Sequence, residues 1–294
     1  MRPEDRIADK KRPFNGTEYI DSLKDGREVY IYGERVEDVT THPAFRNSAR
    51  TMAKLYDSLH DDAKRDELTC PTDTGSGGYT HKFFRVARSA EDLVGQRDAI
   101  AAWSRMSYGW MGRTPDYKAA LMNTLGANAA FWGDYAGNAR AWYKRVQESV
   151  CFMNHAIVNP PVDRHKAADQ VKDVFITIDK ETDAGIHVSG AKVVATSAAL
   201  THYNFLGQNM SAEITDDDLA VMFIAPMHAP GVKLFCRGSY EMQAAATGSP
   251  FDYPLSSRFD ENDAIFVFDD VFIPWEDVLV HRNIEMLMKF YPSS

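Results

Sequence analysis

The chain has 294 residues and a formal net charge of −9; 44% of its residues are apolar and 12% are aromatic. This length is natural for two domains, and the apolar content is sufficient for a hydrophobic core. Because the charge balance is acidic and no long run of Lys or Arg occurs, the composition argues against nucleic acid or an anionic membrane as a main partner.

The first segments of the chain predict a short helix and a hairpin. Residues 1–16 are mostly polar and charged, and we expect them to form a flexible N-terminal segment. Asn15 followed by Glu18 is typical of a helix start in which the two side chains cap each other, and Gly26 is a natural stop. The sequence REVYIYGERVEDV predicts a hairpin that turns at Gly33 and Glu34.

Longer helices are predicted further along the first half of the chain. Ser89, with Asp92 at the third helical position, starts a helix that we expect to reach about Ser107. A further helix is predicted for DYAGNARAWYKRVQESVCFMNHAIV, residues 134–158. Residues 17–155 are therefore predicted to form a mainly helical domain.

The pattern becomes β-rich in the second half. KDVFITIDKETDAGIHVSGAKVVAT contains two strand-like runs joined by a turn at residues 182–185, and further apolar runs are separated by polar, Gly or Pro breaks. Residues 156–282 are predicted to form an antiparallel β domain, and residues 283–294 the start of a helix that is cut off. The predicted fold class is α+β.

Several familiar signals are absent from the sequence. No apolar run approaches the roughly 18 residues of a membrane span, and the N-terminus has no apolar core of a secretion signal. Cys70, Cys151 and Cys236 are too far apart to indicate a disulfide framework or a paired-cysteine metal site. Common dinucleotide, P-loop, serine-hydrolase and zinc-protease motifs do not occur. We therefore expect a soluble cytoplasmic protein without a metal site.

Arg113 and Tyr117 lie in the apolar and aromatic stretch YGWMGRTPDYKAALMN, residues 108–123. Thr114 is a candidate helix cap, which places Arg113 at a helix start, where backbone N–H groups attract anions. Tyr117 lies near the same end and can donate a hydrogen bond, so the pair suits a carboxylate or phenolate ligand. The alternative is an interhelix salt bridge beside a packed tyrosine.

Two further side chains are candidates for chemistry. His155 falls where the helical part gives way to a loop stiffened by Pro160 and Pro161, and a histidine there can act as an acid, a base or a hydrogen-bond donor. Thr196 ends a predicted strand, where its hydroxyl can bond to the edge of a flat heterocycle. The alternatives are a satisfied interior histidine and simple strand capping.

Five motifs together resemble one family. GREVYIYGERVEDVTTHPAFRN, MGRTPDY, NHAIVNPPVDR, SGAKVVAT and FDDVFIPWEDV occur in the order expected of the 4-hydroxyphenylacetate 3-monooxygenase family. These proteins are the oxygenase components of two-component, reduced-flavin-dependent aromatic hydroxylases with an acyl-CoA dehydrogenase-like fold. The resemblance implies a helical domain, an antiparallel β-barrel-like domain and a C-terminal four-helix bundle. On this resemblance the given sequence ends where the bundle, through which the family forms tetramers, would begin.

The resemblance also implies a set of site residues. Arg113, Tyr117 and His155 match positions that bind the substrate and act in catalysis. The positions that match flavin contacts are His155, Ala156, Ile157, Pro161, Val162, Asp163, Arg164 and Thr196. Gln208 and Asn209 fall where a mobile substrate loop would close.

The implied reaction needs two small-molecule partners and one protein partner. A separate NAD(P)H-flavin reductase would supply FADH2, and O2 would provide the oxygen that is transferred to a phenol such as 4-hydroxyphenylacetate, ortho to its hydroxyl, to give a catechol. Arg113 would stabilise the developing negative charge, and Tyr117 and His155 would hold the phenol oxygen and assist its deprotonation. The sequence leaves open which phenol is used and whether FAD is preferred to FMN.

Other functions are compatible with parts of this pattern. A protein like 4-hydroxybutyryl-CoA dehydratase would share the flavin fold but needs thiolates for an iron–sulfur cluster, and no cysteine lies near MGRTPDY. An acyl-CoA dehydrogenase would take its catalytic glutamate from the absent region. The alternative to an enzyme is a truncated non-catalytic remnant, or a fragment that needs its C-terminal domain for activity.

Overall fold

A computed structural model of the chain describes residues 1–163, 165–166, 168–208 and 214–293. The α-helices are α1 (Gly16–Ser22), α2 (Arg46–Ser58), α3 (Arg65–Leu68), α4 (Ala90–Met106), α5 (Ala119–Ala127), α6 (Ala136–Ser149), α7 (Tyr240–Thr247) and α8 (Ile284–Ser293). The strands are β1 (Glu28–Ile31), β2 (Glu34–Val36), β3 (Thr69–Pro71), β4 (Tyr79–His81), β5 (Met153–Ala156), β6 (Thr177–Thr182), β7 (Gly185–Lys192), β8 (Tyr203–Leu206), β9 (Val221–Pro226), β10 (Val232–Cys236), β11 (Ala264–Pro274) and β12 (Val278–His281).

These strands form two large sheets and one small ribbon. The order is β2-β1-β10-β11-β7-β6 in one large sheet and β12-β9-β8-β5 in the other, while β3 pairs with β4. Phe223 of β9 and Phe268 of β11 meet edge to face, with ring centroids 5.7 Å apart, so the two large sheets pack against each other. The predicted α+β fold, helical first and then β-rich, is confirmed.

Two strand pairs differ from the predicted antiparallel pattern. Among the described strands, β1 runs parallel to β10 and β5 runs parallel to β8, while the other neighbours are antiparallel. Strand β1 lies in the predicted helical domain and β5 at its end, while their partners β10 and β8 lie in the predicted β domain. The predicted boundary between residues 155 and 156 therefore falls inside β5.

The capping signals of two helices are confirmed. At the start of α1, the Asn15 side chain accepts a hydrogen bond from Glu18 N at 2.8 Å, and the Glu18 carboxylate accepts one from Asn15 N at 3.1 Å. At the start of α4, the Ser89 hydroxyl accepts from the backbone N–H of Asp92. The predicted hairpin is also present as β1 and β2, although its turn lies one residue earlier than expected.

The helix predicted for residues 134–158 is wrong in its second half. Helix α6 ends at Ser149 because Val150 adopts a left-handed conformation with φ of 53°. The chain then extends and pairs with β8 as β5. Phe152, just before the new strand, and Met153, its first residue, are buried, so tertiary packing decides a segment whose apolar run suits either structure.

The N-terminal segment, predicted to be flexible, packs against the rest of the chain. Ile7 and Phe14 are buried in the hydrophobic core. The carboxylate of Glu4 accepts a hydrogen bond from the Tyr203 hydroxyl at 2.7 Å and lies 3.1 Å from Nε of Arg145. These partners lie more than a hundred residues away in the sequence, so the polar composition of the segment gave no sign of them.

Candidate active site

The structure brings Arg113, Tyr117 and His155 together from two separate segments. A 3-10 turn at Pro115–Lys118 packs beside β5, which carries His155. The ring centroids of Tyr117 and His155 are 6.0 Å apart, and Cζ of Arg113 lies 5.1 Å from the Tyr117 centroid. The three predicted residues therefore form one cluster.

Arg113 is anchored at its backbone and remains partly exposed at its side chain. Its backbone N–H donates to the carboxylate of Glu261, whose Oε2 lies 3.7 Å from the guanidinium. Burial raises the pKa of Glu261, while the Arg113 N–H and charge act in the opposite direction. The Arg113 side chain is 40% exposed, so part of the guanidinium is free to meet a ligand.

The turn that carries Tyr117 is closed differently from the prediction. The Thr114 side chain accepts no hydrogen bond from a backbone N–H of the turn; its hydroxyl donates instead to the carboxylate of Asp116. Asp116 is buried, and burial raises its pKa to about 6 despite that hydrogen bond. Pro115 occupies the first helical position, as expected from its fixed φ.

Lys118 is a fourth member of this cluster, and the sequence reasoning missed it. Its Nζ lies 4.1 Å from the Tyr117 ring centroid, within the range of a cation–π contact. Burial, and then the charge of Arg113, lowers the pKa of Lys118 to about 8. Its position directly after Tyr117, at the end of the same 3-10 turn, was the available signal.

His155 is half-buried and has an unused polar atom. Its Nδ1 is shielded from solvent and has no hydrogen-bond partner among the described residues. Burial, followed by the charges of Lys118 and Arg113, lowers the pKa of His155 to about 4. The imidazole is therefore neutral at physiological pH and can accept a hydrogen bond.

The predicted flavin segments lie next to this cluster along the chain. Ala156 is buried, and its carbonyl accepts from Gly207 N at 3.3 Å. Ile157 is half-buried, while in the following loop Pro161 and Asp163 are exposed and Val162 packs against the core. The predicted site residues Arg164 and Asn209 lie outside the described residues.

Thr196 lies beyond the end of its strand, contrary to the prediction. Strand β7 ends at Lys192, and Thr196 is buried in the turn that follows. Its hydroxyl donates to the carboxylate of Asp263. In this arrangement the hydroxyl proton is engaged within the protein, and the Thr196 oxygen can only accept a further hydrogen bond.

Gln208, predicted to bind substrate, is buried with its amide engaged inside the fold. Its Oε1 accepts from Nζ of Lys192 at 2.7 Å, and its Nε2 donates to the Leu219 carbonyl at 3.0 Å. Lys192 also donates to Oδ1 of Asn159 at 2.6 Å, in the proline loop. Burial lowers the pKa of Lys192 to about 7. Sequence reasoning missed this link between the two loops.

The described residues were also compared with the requirements of a metal site and of a membrane-spanning helix. They contain no group of three or more His, Cys, Asp or Glu side chains arranged to hold a metal ion. Within the same ranges, no helix has the length and apolar character needed to cross a membrane.

Comparison with known proteins gives a consistent result over the whole chain. The family model described as 4-hydroxyphenylacetate 3-hydroxylase N terminal matches residues 15–280. The 4-hydroxyphenylacetate 3-monooxygenase oxygenase component of Pseudomonas aeruginosa is 64% identical over 294 residues, which is all of this chain and 56% of that protein. This chain thus spans about half the length of that relative.

Solved structures agree with this relationship. The crystal structure of the oxygenase component of 4-hydroxyphenylacetate 3-monooxygenase complexed with FAD and 4-hydroxyphenylacetate has a TM-score of 0.87 and 34% identity, covering 95% of this chain and 58% of that one. An archaeal 4-hydroxybutyryl-CoA dehydratase from N. maritimus has a TM-score of 0.80 and 27% identity, covering 95% and 56%. Since the family model matches most of the sequence, the chain belongs to the 4-hydroxyphenylacetate 3-hydroxylase family, in the part described as its N terminal.

Proposed function

We propose that this chain carries the phenol and flavin site of the oxygenase component of a two-component monooxygenase. The reaction hydroxylates a phenol, such as 4-hydroxyphenylacetate, ortho to its hydroxyl group with O2 and FADH2. The observation that carries the proposal is the cluster of Arg113, Tyr117 and His155, which combines a permanent cation, a phenolic donor and a neutral imidazole. The names of the close relatives support the same reaction class.

Two buried polar groups support a flavin beside this cluster. His155 Nδ1 has no partner among the described residues, although buried polar atoms normally have one. Nζ of Lys192 donates to two neutral amide oxygens, and an anionic group nearby would favour its charged form, which burial disfavours. A flavin offers polar ring edges and phosphates, so these groups fit it. When bound, reduced FAD would supply the activation of oxygen, which amino-acid side chains do not provide.

The protein residues would bind the cofactor and handle charge at the phenol. His155, Ala156, Ile157, Thr196 and the loop of residues 161–163 would hold the flavin. Arg113 keeps its charge over the working pH range and would stabilise negative charge on the phenol oxygen. Tyr117 would donate a hydrogen bond to that oxygen, and neutral His155 would hold the same oxygen through its ring N–H.

The proposal includes partners that act with this chain. A separate NAD(P)H-flavin reductase would deliver FADH2 by a transient encounter, since the relatives are named as oxygenase components. Assembly of several copies into a homo-oligomer belongs to the same proposal. The dehydratase of similar fold is the alternative within enzymes, and it differs in consuming no phenol.

A coupled assay tests the proposed function. The chain would be supplied with FAD, NADH, a generic flavin reductase, O2, catalase and a panel of para-substituted phenols, with catechols detected by mass spectrometry. A second arm would add the C-terminal part of the Pseudomonas relative, because this chain covers only 56% of that protein. We expect a catechol in at least one arm.

The two arms separate the alternatives. Catechol from the chain alone would make the remaining part of the relative dispensable for chemistry, whereas catechol only in the second arm would mean that the chain supplies the site but needs that part. No catechol in either arm, with the intact relative active under the same conditions, would support a non-catalytic remnant instead.

A further inference from the structure

Lys118 is a charged side chain of the candidate site that the proposed function does not use. Its Nζ and Cζ of Arg113 lie 4.1 Å and 5.1 Å from the same Tyr117 ring centroid. Lys118 is half-buried, and its ammonium makes no ion pair with a carboxylate among the described residues. The cluster therefore contains two cations around one aromatic ring.

The negative charges near these cations compensate them only in part. Glu261 lies 3.7 Å from the Arg113 guanidinium and is bonded to the Arg113 backbone. Asp116, on the same turn as Lys118, is buried and accepts from the Thr114 hydroxyl. In the neighbouring strand β8, the position paired with His155 is the uncharged Phe205. Among the described residues, the charges that act on His155 are thus the two cations.

We propose that Lys118, together with Arg113, makes this site bind its phenol as the ionised phenolate. The inference rests on the proposed function and deepens it, because it names the ionisation state of the substrate. Lys118 acts as a positioning residue: its ammonium stabilises the phenolate through the electrostatic field across the Tyr117 ring. The phenol proton leaves to solvent as the ion pair forms.

The protonation behaviour of the cluster supports this division of roles. His155 is a weak base, since its pKa is lowered to about 4, so it is a poor acceptor for the full phenol proton at neutral pH. Like charges disfavour each other, and an anion placed between Lys118 and Arg113 relieves their repulsion. The charge pattern therefore favours phenols with more acidic hydroxyl groups. It disfavours the corresponding methyl ethers, which cannot ionise.

The binding of 4-nitrophenol to the full chain tests the inference directly, because the phenolate and the neutral phenol absorb at different wavelengths. The wild-type chain should lower the apparent pKa of the bound probe relative to the free probe. Lys118→Met should raise it again by about one unit and weaken phenolate binding about tenfold. Lys118→Arg should behave like the wild type because it keeps the positive charge.

The control variant is Lys64→Met, at a partly exposed lysine that pairs with Asp61, and it should leave both quantities unchanged. A second readout needs no ligand. The His155 imidazole would be titrated by NMR, with its signal assigned by loss in His155→Gln. Lys118→Met should raise the pKa of His155, because one of the two neighbouring positive charges is removed.

The outcomes distinguish this inference from the proposed function. If Lys118→Met leaves the probe and His155 unchanged, or if Lys118→Arg resembles Lys118→Met, the charge of Lys118 has no such role. Uptake of 4-nitrophenol only in its neutral form, or no uptake, would also overturn the inference. Phenolate binding that depends on Lys118, without catechol in either arm of the coupled assay, would instead support the inference and reject the proposed reaction.

Discussion

Arg113 combines an anchored backbone with a partly free guanidinium, which suits a residue that must stabilise charge as it develops. The backbone contact to Glu261 fixes the position of Arg113 without covering its side chain. Electrostatic stabilisation of this kind depends on groups that are already in place before the reaction. Replacement of Arg113 should therefore affect the reaction more than the binding of the cofactor.

We predict that Arg113→Ala lowers catechol formation on the order of 100-fold, while FAD binding changes far less. Catechol yield in the more active arm of the coupled assay and FAD affinity by fluorescence would measure the two effects. Arg97→Ala, at an exposed arginine that pairs with Asp98, is the matched control. An unchanged product yield for Arg113→Ala would remove this residue from the mechanism.

The burial of Lys192 leads to a second prediction, which concerns how the free energy of unfolding depends on pH. Its pKa is lowered to about 7 by burial, whereas the pKa of a lysine in the unfolded chain is about 10.4. Between these values the unfolded chain holds more protons, so the free energy of unfolding rises with pH across that window. Below about pH 7 this contribution no longer varies.

In Lys192→Met this pH dependence should be lost. Between pH 7 and pH 9, the unfolding free energy of the wild type should rise by roughly 2 kcal/mol relative to that of the variant. Urea denaturation of both proteins at the two pH values would measure it. The substitution also leaves the amide oxygens of Asn159 and Gln208 without the Lys192 donor. This lowers the stability of the variant by the same amount at both pH values, so it does not affect the pH dependence. Equal pH dependence in the two proteins would contradict the prediction.

The sequence predicted some residues of the site and missed others for a physical reason. Arg113, Tyr117 and His155 stand in motifs that are conspicuous among apolar neighbours, and the structure brings them together. Lys118 and Lys192 resemble ordinary surface lysines in the sequence, because burial of a lysine depends on segments far along the chain. The same holds for Gln208, whose partners set its role.

Individual elements show the same contrast between local and distant causes. Helices α1 and α4 begin at the predicted caps because each cap is formed by residues three positions apart. Strand β5 was predicted as helix because CFMNHAIV has no strict period, and its pairing with β8, about 50 residues later, decides the outcome. Prediction at this scale therefore succeeds where the determinants are local.

Strand β7 contains a glycine whose replacement should be costly. Gly190 has a φ of +126°, and a Cβ atom there would lie 2.0 Å from the Phe175 carbonyl oxygen. We predict that Gly190→Ala lowers the free energy of unfolding by at least about 3 kcal/mol, through backbone strain and the steric clash. Chemical denaturation of the variant and the wild type would measure the change.

Gly137→Ala provides the matched control. Gly137 lies in α6, and a Cβ atom there would meet no other atom within 4 Å. Because alanine favours helix more than glycine, the variant should be as stable as the wild type or more stable by up to about 1 kcal/mol. If both alanine variants had the same stability, the close approach at Gly190 would not be the cause.

At the scale of the whole molecule, one buried charged cluster joins the N-terminal segment, α6 and the second sheet. Asp277 lies 3.9 Å from a guanidinium nitrogen of Arg2 and 3.7 Å from one of Arg145. Burial raises the pKa of Asp277 to about 7, and the charge of Arg2 opposes that rise. Below about pH 7 the protonated form is therefore favoured in the folded chain.

A raised carboxyl pKa contributes stability that is complete below the unfolded pKa of about 4 and is lost as pH rises through about 7. Asp277→Asn cannot ionise, so the wild type should lose roughly 2–3 kcal/mol relative to this variant between pH 5 and pH 8. Urea denaturation at both pH values would measure the difference. Parallel stability curves for the two proteins would show that Asp277 does not titrate in this range.

The overall order of helical and β-rich parts was predictable, but their interleaving was not. Composition separates the two halves, whereas the addition of β1 to the sheet of β10, and of β5 to the sheet of β8, depends on contacts between distant segments. The sequence of a single strand says little about which strand it will pair with, because the pairing depends on the partner that is available in the fold.

The parallel pairing of β1 with β10 also implies a delay during biosynthesis between the synthesis of β1 and that of its partner. Tyr30 and Phe235 are register partners, so about 200 residues separate the two strands along the chain. At a synthesis rate of roughly 5–20 residues per second, the hairpin of β1 and β2 waits about 10–40 s on the ribosome for its neighbour. During that time an unpaired strand edge is open to other nascent chains, while the local helices can already form. The yield of folded protein should thus depend on translation speed and chaperone supply, because the first strand to emerge is among the last to be covered.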